Sequence, residues 1–322
     1  MSDNMNVLLV GCGNMGKEYA KVLCAQNINI IAVGNSEEGA KEFTRCTGIE
    51  ALSGGIDTVI SSLDYIPRIA IIATPVISLG KVVIQVINHG VKRVLVEKPA
   101  GLSYEEILEV SNCAKRNNAK VFVAYNRRFY SSVDKALDII DNDGGVTSFS
   151  FEFTEWAHTI EKIKKPESET ANWLLANSTH VIDLAFFLGG EPKEMCSYVS
   201  GGLKWHQRGA VYSGAGISNS GALFSYAANW DAPGRWAVEV LTHKHRLYFK
   251  PMEKLAIQNI DSVQVDWVEI DDKLDVEFKP GLYKQVEAFL NENKQDERLL
   301  DIDKQLDNIL VYEKIAGIRR AI

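Results

Sequence analysis

Gly11-Cys12-Gly13-Asn14-Met15-Gly16 sets three glycines in the pattern Gly-x-Gly-x-x-Gly, directly after the apolar run at 7–10. A strand that turns this way into a helix brings backbone N–H groups against a pyrophosphate at the helix N-terminus. Gly11 would permit the turn, Gly13 would let the diphosphate reach the backbone, and Gly16 would let helix and strand pack closely. The same pattern also occurs in ligand-free turns, so the rest of the chain has to decide. Ala73-Thr74-Pro75 and Glu97-Lys98-Pro99-Ala100-Gly101 end two further apolar runs. Open α/β sheets place ligands at such strand ends, which puts Thr74, Pro75, Glu97 and Lys98 beside a cofactor. A lysine leaving a buried strand next to a proline is partly desolvated, which suits it to donate a hydrogen bond or transfer a proton. A surface ion pair between Lys98 and Glu97 is the plainer alternative.

The end of the second strand reads the adenosine ribose, and an NAD site usually places Asp or Glu there. This chain has Val33-Gly34-Asn35-Ser36-Glu37, with no acid at the strand's end. Asn35 and Ser36 could donate to a 2′-phosphate, so the expected cofactor is NADP or NAD, with the lean towards NADP. Asn35-Ser36 could equally cap the next helix.

These residues need elements to hold them. Short apolar runs at 28–33, 58–60, 69–73, 91–96 and 120–124 read as strands alongside 7–10, and helical patterns cover 15–26, 79–89 and 104–117. Ser103 with Glu106 three residues on predicts a capped helix start. Such alternation predicts a doubly wound parallel sheet, a Rossmann domain over residues 1–124. From 125 to 322 the rhythm changes to helices at 132–140 and 172–188 and strands at 146–153, 194–199, 222–229, 236–242, 246–249 and 262–268. That region predicts an α+β domain on a mainly antiparallel open sheet, with C-terminal helices at 283–290 and 302–319.

A hydrophobic fraction of 46%, a charged fraction of 24% and a net charge of −7 describe an ordinary globular chain and argue against nucleic-acid or anionic-membrane partners. The five cysteines are odd in number and form no Cys-x-x-Cys pair. With no signal-like segment ahead of the first strand, a reducing cytoplasm is the expected location.

Gly-x-Gly-x-x-Gly, Ala-Thr-Pro, Glu-Lys-Pro-Ala-Gly and then Tyr125-Asn126-Arg127-Arg128-Phe129, at these intervals, resemble the Gfo/Idh/MocA oxidoreductase family. The resemblance implies NAD(P)-dependent hydride transfer at a carbon of a sugar or sugar derivative, amino or nucleotide-linked sugars included. It also implies a second domain whose open sheet forms a homodimer or homotetramer interface, and a Lys98–Pro99 bond that is often cis. Asn177-Ser178-Thr179-His180-Val181-Ile182-Asp183 matches the family's His-x-x-Asp segment. His180 is thereby expected as the general base, with Lys98 holding the reacting oxygen and Asp183 meeting the substrate from the same helical face. Asn126, Arg127, Arg235 and Tyr283 complete the expected substrate set. The tryptophans beside Arg235 could instead pack a subunit interface. No metal site is expected, since two ligands without a third close no zinc shell.

The chain departs from the family pattern at Ala176, where many relatives carry Asp four residues before the histidine. That keeps open the alternative of a non-catalytic, dinucleotide-binding regulatory protein.

Overall fold

The computed structural model describes residues 5–318. They divide into one unit of residues 5–126 with Leu274–Asp307 and a second of Arg127–Lys273 with 308–318.

The first unit alternates β1 (Asn6–Val10), α1 (Asn14–Ala25), β2 (Asn29–Val33), α2 (Glu37–Thr47), β3 (Ala51–Leu52), α3 (Ile56–Ile60), β4 (Ile69–Ile72), α4 (Leu79–Asn88), β5 (Arg93–Glu97), α5 (Tyr104–Arg116) and β6 (Lys120–Ala124). The six strands are parallel, in the order β6-β5-β4-β1-β2-β3. Val7, Leu8, Leu9, Ile71, Val94 and Leu95 have no measurable exposure. This is the doubly wound sheet expected from the alternation. Residues 58–60 are the exception, because Ile56, Val59 and Ile60 are buried at i, i+3 and i+4 and so form one face of a short helix. Ser103 caps α5 by accepting from the Glu106 N–H (3.2 Å), and Glu106 accepts from Leu102 N–H (2.7 Å), one residue before the position a capping box predicts.

The second unit opens with α6 (Ser131–Asn142), β7 (Ser148–Glu152), α7 (Ala157–Ile160), α8 (Glu167–Thr170) and α9 (Thr179–Gly189). The strands β8 (Pro192–Ser200), β9 (Val211–Ser218), β10 (Leu223–Asn229), β11 (Ala237–Leu241), β12 (His245–Phe249), β13 (Ala256–Asn259) and β14 (Asp266–Trp267) follow. Their sheet runs β14-β13-β12-β11-β7-β10-β9-β8 and is antiparallel except between β7 and β10. Phe149 and Phe151 of β7 stack on Phe224 and Tyr226 of β10, and Phe186 of α9 meets both phenylalanines edge-on. Gly189 lets α9 lie close, since a Cβ there would fall 2.2 Å from the Phe149 ring. The helix expected over 172–188 is interrupted: Leu174–Ser178 forms a π-turn before α9 begins.

The chain then adds α10 (Lys273–Glu277), α11 (Leu282–Leu290), β15 (Leu300–Asp301) and α12 (Ile302–Ile315). The expected boundary at 124/125, with the whole tail in the second domain, is corrected here. β15 pairs antiparallel with β6, α11 packs on α1, and Arg93 is held between the rings of Phe122 and Phe289 while donating to the Phe289 carbonyl (2.7 Å). Residues 274–307 thus complete the core of the first unit. The helix expected over 302–319 ends at Ile315, and residue 319 lies outside the described residues.

Candidate active site

In the first unit, Gly11 has φ +120°, and a Cβ on it would lie 2.4 Å from the Ala73 carbonyl oxygen and 2.9 Å from the Thr74 nitrogen. The glycine turn is therefore pressed against the Ala-Thr-Pro turn, and only a residue without a side chain fits. Gly16 is as tightly constrained, its Cβ falling 1.9 Å from the Gly11 carbonyl. Gly13 differs: nothing lies within 4 Å of its Cβ position. It is the N-cap of α1, and no side chain caps that end. The protein thus leaves an open cradle at a helix N-terminus where Gly13, Asn14 and Met15 present backbone, which fits a pyrophosphate. Cys12 packs towards Gly34, and its burial raises the thiol's pKa, keeping it protonated.

β1, β4 and β5 are adjacent and parallel, so Gly11, Thr74 and Lys98 end neighbouring strands and form a row of roughly 10 Å at ordinary strand spacing. The connections from β1 and β4 leave in opposite directions along the sheet, the switch point where such folds bind ligands. Lys98–Pro99 is cis, as the resemblance implied. The Pro99 carbonyl accepts from Gln305 Nε2 (3.0 Å), and the Ala100 N–H donates to the Glu97 carbonyl (3.0 Å). Glu97 accepts from the fully buried Tyr19 hydroxyl (2.8 Å). Burial pushes the Glu97 carboxyl up, against the pull of Lys98, the Tyr19 bond and Lys279.

At the adenosine end, Ser36 is the N-cap of α2 and accepts from the Gly39 N–H (3.2 Å). Glu37 and Glu38 occupy the first turn, and Glu37 pairs with Lys41. The argument for a 2′-phosphate weakens accordingly. The serine oxygen already accepts from the cap N–H, and the carboxylates of Glu37 and Glu38 follow it directly in the chain.

In the second unit, β7 and β11 are antiparallel neighbours with Glu152 opposite Ala237. The chain leaving β7 therefore meets the chain entering β11, and Glu155 Oε2 lies 3.6 Å from Arg235. Arg235 stacks between the rings of Trp156 (4.8 Å) and Trp236 (4.6 Å). Glu155 is 2% exposed and accepts from Asn177 Nδ2 (2.9 Å) and Ser178 Oγ (2.8 Å), both in the π-turn. His180 follows that turn in α9, which packs on β7 and β11, and its ring centre lies 6.1 Å from that of Trp236. Arg127 also faces Trp236, at 4.9 Å. Arg127, His180 and Arg235 thus converge on one indole, with Glu155 beside Arg235.

Glu155 escaped the sequence reading. Its signal was a carboxylate three residues past a strand of alternating aromatics.

Three expected substrate ligands are occupied otherwise. Asp183 is 2% exposed and accepts two hydrogen bonds from Arg128 (2.8 and 2.6 Å), so its carboxylate serves a buried ion pair instead of a substrate. Asn126 is 6% exposed and donates to the Pro280 carbonyl (2.8 Å). Tyr283 packs on Phe278, and its carbonyl accepts from Gln26 at the C-terminal end of α1, about 18 Å along that helix from the glycine turn.

The parallel sheet with its open glycine cradle has the form of a dinucleotide-binding α/β fold. Residues 5–125 match the model of the Gfo/Idh/MocA oxidoreductase family, described as an NAD-binding Rossmann fold. The chain is similar to the NAD+-dependent scyllo-inositol 2-dehydrogenase of Bacillus subtilis, 27% identical over 59% of this chain and 55% of the relative. It is also similar to the 2,7-anhydro-N-acetylneuraminate hydratase of Escherichia coli, 26% identical over 67% and 56%. The chain spans about half the length of these curated relatives. Among solved structures, a levoglucosan dehydrogenase in complex with NADH and L-sorbose shares the fold, with a TM-score of 0.81, 20% identity, and coverage of 98% of this chain and 96% of that one. No helix among the described residues is long and apolar enough to cross a membrane.

Proposed function

We propose that this protein is an NAD-dependent dehydrogenase or reductase acting on a CH–OH carbon of a sugar or sugar derivative. The observation that carries the reading is the Gly13 cradle, open at a helix N-terminus and flanked by the strand end that bears Lys98. Gly11, Cys12, Gly13, Asn14, Met15 and Gly16 would hold the diphosphate, Thr74, Pro75 and Glu97 the nicotinamide half, and Asn35 the adenosine ribose. When bound, the nicotinamide supplies the hydride acceptor or donor. The preference is for NAD over NADP, because Glu37 and Glu38 oppose a second phosphate where Ser36 already caps α2.

Lys98 holds and polarises the reacting oxygen, and its ammonium favours the alkoxide character that develops there in oxidation. His180 takes the hydroxyl proton in oxidation and returns it in reduction. Arg127 and Arg235 orient the substrate. The second unit is proposed to pair in an even-numbered homo-oligomer through the sheet face turned away from α9, where Tyr198 and Leu223 are 72% and 62% exposed.

The test is NADH formation or consumption, followed at 340 nm, over a panel of polyols, aldoses, amino sugars and nucleotide sugars. Lys98→Ala and His180→Ala should each lower turnover by about 10²–10⁴-fold while dinucleotide affinity stays within about threefold of wild type. Unchanged turnover in both variants would sink the assignment. A regulatory, non-catalytic reading draws on one observation: Ala176 offers a buried methyl where relatives of this type carry a carboxylate. Tight dinucleotide binding with no turnover across the panel would favour it.

A further inference from the structure

Arg127 and Arg128 are neighbours in a 3₁₀ turn, where successive side chains point about 120° apart. Arg128 is satisfied by two hydrogen bonds to Asp183. Arg127 is half-buried, and its guanidinium lies over the rings of Trp236 (4.9 Å) and Tyr130 (5.9 Å). Its Nε makes no hydrogen bond, nor does the buried Trp236 Nε1. Two buried donors without acceptors therefore face one locality. A buried cation lacking a counter-ion is costly, and a buried polar group left unmade calls for an explanation such as a ligand. Arg235, on the same indole, adds a second positive charge. The nearby acids do not quench both cations: Glu155 is engaged by Asn177, Ser178 and Arg235, while the exposed Glu253 attracts Arg127 without forming an ion pair with it. Desolvation and the charge of Arg235 both press on Arg127.

We propose that this cluster takes a sugar or polyol bearing an anionic group, a carboxylate or a phosphate, bound by Arg127 and Arg235 with the Trp236 indole N–H. A planar carboxylate or a phosphate face supplies the acceptor oxygens that Arg127 Nε and Trp236 Nε1 lack, and guanidinium forks match both anions. Neutral sugars offer hydroxyls, which accept more weakly and leave the charge uncompensated. The inference uses the dehydrogenase reading only to say that this cluster meets the substrate. Binding of the anion does not depend on turnover.

The test is titration of intrinsic tryptophan fluorescence, with and without NAD, using D-glucose, D-glucuronate and D-glucose 6-phosphate at constant ionic strength. At least one anion should bind about tenfold or more tighter than glucose, a preference that Arg127→Gln reduces to below about threefold. The two anions separate a carboxylate site from a phosphate site. Equal affinity for all three, a preference for glucose, or a preference that survives in Arg127→Gln overturns the proposal. A ligand-independent check is thermal unfolding of the free protein. Arg127→Met should leave Tm unchanged or raise it, whereas Arg128→Met should lower it by about 10 °C. If Arg127→Met falls as far as Arg128→Met, Arg127 is a structural residue and the proposal fails. NADH formation from glucose without any anion preference would defeat this inference and leave the dehydrogenase reading standing.

Discussion

In the first unit the site is made of backbone: a glycine turn, a threonine turn and a Glu-Lys-Pro turn at the ends of adjacent parallel strands. The second unit has a candidate cluster made of side chains from four separate segments: Arg127, His180 and Arg235 gather around Trp236, with Glu155 beside Arg235. The first kind of site is fixed by local geometry, since Gly11 and Gly16 have carbonyl oxygens 2.4 Å and 1.9 Å from where a Cβ would sit. The second kind depends on packing that brings distant residues together, and its charges must be balanced across the whole unit. A local motif can be damaged with the fold intact. A buried ion pair such as Arg128–Asp183 in the second unit cannot lose one partner so easily.

The sharpest break of that contrast is at Asp183. Asp183→Ala removes the carboxylate that accepts two hydrogen bonds from the buried Arg128, and we expect a loss of about 3–5 kcal/mol, read as a lowered urea midpoint at unchanged slope. A loss below about 1 kcal/mol would mean that the carboxylate is spare and free to serve a substrate after all.

Gly13→Ala should do the reverse in the first unit. The added methyl meets no protein atom within 4 Å, and the residue's φ of −77° suits alanine, so stability should hold. Dinucleotide affinity should fall about tenfold or more, because the methyl enters the space proposed for the diphosphate, an effect of at least about 1.4 kcal/mol by isothermal titration. Unaltered affinity would remove the cradle from the cofactor site.

The same contrast decides how much the sequence disclosed. Strand–helix alternation, glycine spacing and strand-end motifs are local, and they predicted the parallel sheet and the placing of Gly11, Thr74 and Lys98 at strand ends. The return of residues 274–307 to the first unit was not legible. It depends on Arg93 lying between Phe122 and Phe289, a contact across 196 residues of chain in its hydrogen bond to the Phe289 carbonyl. Asp183 was misread because His-x-x-Asp spacing says which residues share a helical face but not what packs against that face. The opposing residue is Arg128, 55 positions earlier. Glu155 was missed because nothing local shows that β7 lies beside β11.

The smallest expected effect is a difference in sign between the units as pH falls. His206 of the second unit is 2% exposed beneath Trp230 and Trp205, with Nδ1 3.0 Å from the Gly209 carbonyl. Burial, aided by the charge of Arg208, holds its pKa below 6.5, and the Gly209 bond offsets this only in part. Below pH 6.5 the unfolded chain therefore binds more protons than the folded one, so the His206 contribution to stability is lost on acidification, at no more than about 1.4 kcal/mol per pH unit. Glu97 of the first unit has the opposite shift. Its carboxyl is raised above 4.5 by burial, so the folded chain holds the proton longer, and its contribution is full below 4.5 and lost as pH rises. Urea unfolding of wild type, His206→Gln and Glu97→Gln between pH 4.5 and 7.5 separates the two. Relative to wild type, His206→Gln should gain stability as pH falls, and Glu97→Gln should gain it as pH rises, since glutamine keeps an acceptor for the Tyr19 hydroxyl without a charge to bury. Two difference curves of the same sign would mean that burial does not govern one of these groups, and the hydrogen bond from Tyr19 to Glu97 is the contact to remove next.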